Sequence, residues 1–274
     1  LSKPNLYQAR AWELVQRDAV APHDSVGSNL HLHIRGNQVM RVHPRDNESI
    51  NECWISDRDR FSYQGLYSDD RLTTPLIRKN GSWREAEWEE ALEFAANGLK
   101  SARSTSGDRL GALVSPTATL EELYLAQKLM RGLGSDNIDF RLRQTDFRGE
   151  EGVPWLGQSI ADLEKLDAAL LVGSNVRKEQ PILGHRLRKA AMAGAWVGFV
   201  NPLALELNYP ADQLVVSPAG MIDELAAVAK ALGLKGKPMD KAQVTDAHRQ
   251  AAEKLKSAGR STVLLGNLAV AHPD

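Results

Sequence analysis

The most chemically distinctive residue of this chain of 274 residues is its single cysteine, Cys53. It lies in the segment 51–61 (NECWISDRDRF), about ten residues after two strand-like stretches. A lone cysteine is most often a small buried apolar residue. Its thiolate is also a ligand for metal ions and iron–sulfur clusters, so a metal site at Cys53 would need further ligands near it.

A second candidate site is the turn formed by Gly173, Ser174 and Asn175, which follows the apolar run 168–172 (AALLV). A turn between a strand and a helix N-terminus presents free backbone amides and the positive end of the helix dipole, and it therefore favours an anion. Gly, Ser and Asn are common in such connections for purely conformational reasons. A structural turn and an anion site both remain open interpretations.

Two further groups of residues have the types that ligands or partners need. His31 and His33 are two residues apart on one predicted strand and His43 ends the next, so either chelation of a metal or plain exposure to solvent fits the pattern. The run 57–60 (DRDR) indicates local ion pairs or a docking surface. A loop after Asn137 is equally ambiguous between a partner-binding and a solvated surface, and it concentrates the charged residues Asp139, Arg141, Arg143, Asp146, Arg148, Glu150 and Glu151.

The elements that position these residues are of two kinds. Segments 28–35 and 38–43 alternate polar and apolar residues around Gly36-Asn37, which predicts a β-hairpin. Short apolar strands then alternate with helical patterns, which predicts an α/β fold with a doubly wound, mostly parallel sheet behind a small β-hairpin domain. The strands are expected at 110–114, 168–172, 195–200, 213–216 and 262–265, and the helices at 119–133, from Pro181, at 221–232 and at 241–258.

The order of these features resembles the start of the molybdopterin oxidoreductases, where three cysteines, a hairpin, a fourth cysteine and an RLxxPLxR segment follow one another. Here the hairpin, Cys53 and residues 71–78 (RLTTPLIR) are present. The places of the three earlier cysteines fall on or near Ala21, Asp24 and Ser28. The resemblance thus implies a relic cluster position at Cys53 and no bound metal, because a cubane cluster needs four thiolates or close substitutes.

Longer matching words resemble one family, the large iron–sulfur subunit of the proton-pumping NADH:quinone oxidoreductase, respiratory complex I. They are LSKP (1–4), ARAWE (9–13), DSVGSN (24–29), VMRV (39–42) and INECWISD (50–57). The resemblance implies a non-catalytic structural domain of an enzyme complex that carries electrons from NADH to quinone. It also implies other hydrophilic subunits of complex I as partners, and a peripheral location on the cytoplasmic face of the bacterial inner membrane or on the mitochondrial matrix side.

The same resemblance bears on cofactors. In active relatives the turn that corresponds to Gly173, Ser174 and Asn175 holds part of a pterin dinucleotide. Residues after the equivalent of Asn137 supply the molybdenum ligand there. Here Val176 replaces the usual proline and Thr145 is the nearest hydroxyl, so Gly173, Ser174 and Asn175 form a relic pterin-type turn. We expect no cofactor in this fragment, and 2Fe–2S and 4Fe–4S clusters in upstream domains that it lacks.

The resemblance divides the chain into a linker at 1–26, a small β-domain at 27–70 and an α/β domain at 71–274. The chain starts without methionine and stops at Asp274 soon after an apolar strand, so we expect a longer parent protein. With 42% hydrophobic and 25% charged residues it can bury a core. Trp83, Trp88 and Trp155 are expected to anchor that core or a domain interface.

Composition and charge exclude several other classes of function. A net charge of −1 gives no field that recruits nucleic acid or anionic lipid. No apolar run is long enough to span a bilayer, so we expect no direct membrane insertion. Two alternatives remain: a fragment of an active molybdopterin-dependent enzyme such as a formate dehydrogenase, and an unrelated nucleotide-binding domain that uses the Gly173 turn.

Overall fold

The computed structural model describes residues 6–141 and 155–272. By its contacts the chain divides into two compact units, one made of Leu1–Arg60 with Arg143–Asp274 and one made of Phe61–Leu142.

The first unit begins with a three-stranded antiparallel sheet of β1 (Val15–Val20), β2 (Asn29–Arg35) and β3 (Gln38–Pro44). Gly36 lies at the β2–β3 turn with φ of +61°, which confirms the predicted hairpin. The prediction of a linker at 1–26 misses β1, which pairs with β2 along its whole length. Most side chains of this edge strand are exposed, so the strand lacks the alternation that would reveal it.

After β3 the chain forms the Cys53 loop, defined here as residues 45–56, and the short helix α1 (Asp57–Phe61). The side-chain amide of the buried Asn51 organises this loop from inside. Its Oδ1 accepts the backbone N–H of Asn29 at 2.9 Å, and its Nδ2 donates to the carbonyls of Arg45 at 3.1 Å and Trp54 at 3.0 Å. A compact polar loop is therefore held in place by hydrogen bonds to one side chain.

The second unit contains the hairpin β4 (Leu76–Lys79) and β5 (Ser82–Glu85), helix α2 (Trp88–Thr105), and the parallel pair β6 (Ala112–Leu113) and β7 (Ile138–Asp139). Helix α3 (Leu120–Gly132) starts as predicted, because Thr119 accepts the N–H of Glu122 and the Glu122 carboxylate accepts the N–H of Thr119. Both helices expose large apolar side chains: Trp88, Leu92, Phe94, Leu120, Tyr124, Leu125 and Leu129.

The main sheet belongs to the first unit and is wholly parallel, with the order β10-β9-β8-β11. Its strands are β8 (Ala168–Val172), β9 (Trp196–Asn201), β10 (Asp212–Val215) and β11 (Ser261–Leu265). Its helices are α4 (Val176–Glu179), α5 (Pro181–Met192), α6 (Met221–Ala231), α7 (Lys237–Lys241), α8 (Asp246–Ser257) and α9 (Asn267–Val270).

Helices cover both faces of this sheet. Leu171 packs on one face with Leu187 of α5, and Leu170 packs on the other with Ala251 of α8. The predicted doubly wound parallel sheet is thus confirmed. The helix expected at 241–258 begins only at Asp246, because α7 ends at Lys241 and Thr245 donates its N–H to His248 at the start of α8.

The burial expected of three tryptophans is not observed. Trp83, Trp88 and Trp155 are 63%, 68% and 78% exposed, so their assignment to a core is wrong. Among the described residues no helix is long and apolar enough to cross a membrane.

Candidate functional site

The Gly173 turn lies where an α/β sheet of this kind places ligands. The chain runs from β8 to β9 to β10 in one direction and returns to place β11 on the other side of β8. The strand order therefore reverses between β8 and β11, and ligands of such sheets bind outside the carboxyl ends of the strands at that reversal. Gly173 directly follows the last residue of β8.

The chain itself closes this position. Gly266 donates its N–H to Val172 O at 2.8 Å and Leu268 donates its N–H to Gly173 O at 3.0 Å, which draws the start of α9 onto the turn. A Cβ at Gly173 would collide with the backbone of Ala269, and a Cβ at Gly266 would collide with Ser174. The segment 266–270 thus fills the space beside the turn in which a ligand would lie.

The backbone N–H of Asn175 is also already hydrogen-bonded to a side chain of the same protein. It donates to Glu179 Oε1 at 3.2 Å, so a carboxylate of the chain takes the place that an anion would take. The Glu179 carbonyl accepts from Arg58 at 2.8 Å, and the nearby Arg177 donates to the carbonyl of Glu206 at 2.8 Å. These contacts use a backbone donor and a basic side chain that would serve a pterin dinucleotide, and the turn does not fit that cofactor.

The residues at the relic cluster position do not fit a 4Fe–4S cluster either. Cys53 has an exposed thiol, and the methyl side chain of Ala21 has no atom that could bind a metal. Asp24 accepts from the N–H of Val26 at 3.0 Å and from Arg58 at 3.3 Å, and burial raises the pKa of its carboxyl. Over the described ranges, no group of three or more His, Cys, Asp or Glu side chains is placed to hold a metal ion.

Helix α1 and its neighbours form a small polar cluster. Asp59 is buried and bridges His23 Nδ1 at 2.8 Å and Ser56 Oγ at 2.8 Å. Because the aspartate separates the serine from the histidine, the imidazole is not positioned to activate the hydroxyl. Asp59 and Arg58 thus make contacts within the chain, Asp59 with His23 and Arg58 with Asp24, as in one of the two interpretations of the 57–60 run.

The predicted histidines share one face of the small sheet. His33 and His43 are stacked with ring centroids 4.9 Å apart, and His33 Nδ1 accepts from Arg41 at 2.9 Å. His33 Nε2 contacts Gln16 Oε1 at 3.2 Å, so protein partners use both ring nitrogens. Burial, with the charge of Arg41, lowers the pKa of His43 to about 4 and also lowers the pKa of His33.

One cluster was not anticipated from the sequence. Arg186 of α5 is 1% exposed and donates to Glu164 at 2.8 Å, while Lys189 contacts Glu52 at 2.7 Å and Glu164 at 2.5 Å. The bond from Lys189 lowers the pKa of the Glu164 carboxyl, and the same bond raises the pKa of Lys189. A signal was present, because Arg186 stands at a spacing of four from Ile182 and Ala190 on the apolar face of the helix.

Most of the charged loop after Asn137 is outside the described residues. This applies to Arg143, Thr145, Asp146, Arg148, Glu150 and Glu151. Of the residues that the structure describes, Arg141 donates to Asp139 at 2.9 Å and its guanidinium lies 4.6 Å from the Phe140 ring centroid.

Comparison with known sequences identifies the family. The profile of the family described as molybdopterin oxidoreductase matches residues 71–266, and that described as NADH-ubiquinone oxidoreductase NDSU1/NuoG-like, 4Fe-4S domain, matches residues 15–64. The chain belongs to the molybdopterin oxidoreductase family. The 4Fe–4S domain match covers the small sheet and the Cys53 loop, which are the parts that first suggested the resemblance.

Curated relatives carry the names that the sequence words suggested. An NADH-quinone oxidoreductase subunit of Rickettsia felis is 39% identical over 197 residues, 71% of this chain and 28% of the relative. The NADH-ubiquinone oxidoreductase 75 kDa subunit of Reclinomonas americana is 34% identical over 232 residues, 78% of this chain and 32% of the relative. These relatives confirm the resemblance, and the chain spans about 30% of their length.

A solved structure supports the fold. Acetylene hydratase from Pelobacter acetylenicus superposes with a TM-score of 0.59 over 91% of this chain and 38% of that enzyme, at 16% sequence identity. At that identity the likeness shows a shared fold alone.

Proposed function

We propose that this chain is a non-catalytic structural part of the large iron–sulfur subunit of an NADH:quinone oxidoreductase. The observation that carries the proposal is the state of the relic pterin-type turn. Segment 266–270 covers Gly173 and Ser174, and the Glu179 carboxylate takes the amide of Asn175. Together with the names of the curated relatives, this supports a scaffold inside an electron-transfer complex.

In this proposal the parent complex, and not this region, moves electrons from NADH to quinone. The region binds no cofactor or metal, Cys53 marks a lost cluster ligand, and the 2Fe–2S and 4Fe–4S clusters belong to another part of the same polypeptide. The presence of a single cysteine supports this, because an iron–sulfur cluster needs several thiolates. The proposed modules are a linker at 1–26 that contributes β1 to the small sheet, a small β-domain at 27–70 and the α/β domain from 71 onward.

The proposed partners are the other hydrophilic subunits of complex I, in a peripheral arm on the cytoplasmic face of a bacterial inner membrane or in the mitochondrial matrix. The exposed apolar side chains of α2 and α3 support contact with further polypeptide, because exposed apolar patches of this kind mark protein interfaces. The net charge of −1 supports neither nucleic acid nor an anionic membrane surface as a partner.

The proposal is tested by the iron and molybdenum content of the anaerobically purified chain, measured by elemental analysis beside an ultraviolet–visible spectrum. We expect both metals near zero per chain. The variant Cys53→Ser should have the same spectrum and the same stability, because the thiol is exposed. Several iron atoms per chain, with an absorption band near 400 nm that Cys53→Ser removes, would overturn the cluster-free proposal.

The second candidate is a fragment of an active molybdopterin-dependent oxidoreductase such as a formate dehydrogenase. The match of residues 71–266 to the molybdopterin oxidoreductase profile favours it. It predicts molybdenum and pterin in the purified chain, so the same elemental analysis decides between the two candidates.

A further inference from the structure

The contact between the Cys53 loop and helix α5 is made by a network of hydrogen bonds and ion pairs. Arg186 Nη2 donates to the backbone carbonyls of Glu48 at 2.5 Å and Ile50 at 3.2 Å. Its other terminal nitrogen donates to Glu164 at 2.8 Å. One guanidinium therefore joins the loop to α5 and to the turn that precedes β8.

Glu52 and Lys189 complete this cluster, and His185 lies beside it. The Glu52 carboxylate, on the loop, contacts Lys189 at 2.7 Å, His185 at 3.3 Å and Arg186 at 3.6 Å. Lys189 reaches both Glu52 and Glu164, so two cations of α5 alternate with two carboxylates. Removing one partner from such a group is strongly destabilising, because the charges and hydrogen-bonding atoms that remain lose their compensation.

Asn51 and Arg186 are two side chains that order the loop, and neither is a metal ligand. Asn51 fixes it from inside through the carbonyls of Arg45 and Trp54, and Arg186 fixes it from outside through the carbonyls of Glu48 and Ile50. In a cluster-binding loop, metal–thiolate bonds provide this order, because ligand binding supplies folding energy. Cys53 lies within the same stretch and makes no part of either set of bonds.

We propose that the ion cluster of Glu52, Glu164, Arg186 and Lys189 fastens the Cys53 loop to the α/β sheet and replaces an iron–sulfur cluster as its structural cross-link. Arg186 is in this account a positioning residue that sets where the small sheet meets α5. The inference goes beyond the scaffold function and shares with it one premise, the missing metal cluster. Elemental analysis tests that premise on its own.

Hydrogen exchange read by mass spectrometry tests the fastening directly. The loop contains amides whose protection reports on it, since Asn47 donates to Glu52 O at 2.9 Å and Trp54 donates to Asn51 O at 2.8 Å. In Arg186→Met we expect amides of residues 45–56 to exchange about 100-fold faster or more, because Glu52 and Glu164 are left to share one lysine and the carbonyls of Glu48 and Ile50 lose their donor. Strands β8 and β9 should keep their protection.

Arg249→Met is the matched control. It makes the same chemical change at an exposed arginine that pairs with Asp246 on the surface of α8. Both the loop and the sheet should exchange as in the parent chain, because exposed pairs add little stability.

Two results would overturn the proposal: unchanged exchange of the loop in Arg186→Met, or an equal loss of protection in the loop and in β8 and β9. If Arg186→Met yields no folded chain, Glu52→Gln decides, since it removes one charge and keeps the shape. That variant should accelerate exchange of the loop by about 10-fold. An unaltered loop there would equally refute the fastening.

Discussion

Replacing Gly173 by alanine tests whether the pterin-type turn is closed. Gly173 and Gly36 have nearly the same backbone conformation, with φ of +59° and +61°. Their surroundings differ, because a Cβ at Gly36 meets nothing within 4 Å whereas a Cβ at Gly173 collides with the backbone of Ala269. Gly36→Ala is therefore a control that carries the conformational strain without the steric conflict.

The magnitudes follow from these two environments. A left-handed conformation disfavours alanine by about 1–2 kcal/mol, and this applies to both variants. Gly173→Ala must also displace the start of α9, which breaks the bonds from Gly266 to Val172 and from Leu268 to Gly173. At about 1 kcal/mol for each backbone hydrogen bond, the total for Gly173→Ala is about 3–4 kcal/mol.

Equilibrium unfolding in urea, with thermal unfolding beside it, measures the difference. We expect Gly173→Ala to lower the free energy of unfolding by about 2 kcal/mol more than Gly36→Ala, which is a further decrease of about 4–8 °C in Tm. Hydrogen exchange should show residues 266–272 opening only in Gly173→Ala. Equal losses of stability in the two variants would refute the closure of the turn by segment 266–270.

Two other predictions concern the small sheet and the core. Burial lowers the pKa of His43 from 6.5 to about 4, so the unfolded chain binds a proton more readily than the folded one. The contribution of neutral His43 to the free energy of unfolding is therefore fully present above pH 6.5 and decreases as the pH falls toward 4. His43→Phe should reduce this decrease, by at most about 1.4 kcal/mol per pH unit, in urea titrations at several pH values; an unchanged slope would contradict the assignment. Leu171→Ala should lower the free energy of unfolding by about 2–5 kcal/mol at its fully buried site, whereas the exposed Leu203→Ala should change it by less than about 0.5 kcal/mol in the same urea assay.

Sequence patterns predicted the elements whose signals are local. The apolar run 168–172 has the bounds of β8, and Pro181 is the first residue of α5. Thr119 and Glu122 mark the start of α3 because a capping box lies within one helical turn. The missed strand β1 lacks such a signal, since an edge strand with little buried surface needs no alternation.

The state of the candidate site depended on contacts between residues far apart in sequence. Gly173, Ser174 and Asn175 were correctly located at a strand-to-helix turn. The residues that cover Gly173 and Ser174 come from segment 266–270, and no pattern near residue 173 encodes that contact. Arg186 presents the same limit, because its acceptors Glu48 and Ile50 precede it by 138 and 136 residues. The expectation of lost cluster ligands rested on the family resemblance together with the single cysteine, which cannot supply four thiolates.

The separation between Arg186 and the loop that it binds also has a consequence in time. A ribosome adds about 5–20 residues per second, so the 138 residues between Glu48 and Arg186 take about 7–28 s to synthesise. The three-stranded sheet is complete at Pro44 and can pair its strands at once, because each pairs with its neighbour in the chain. During synthesis the Cys53 loop is held by its own hydrogen bonds, among them those of the Asn51 side-chain amide and those between Asn47 and Glu52, and α5 later reaches a loop that is already shaped.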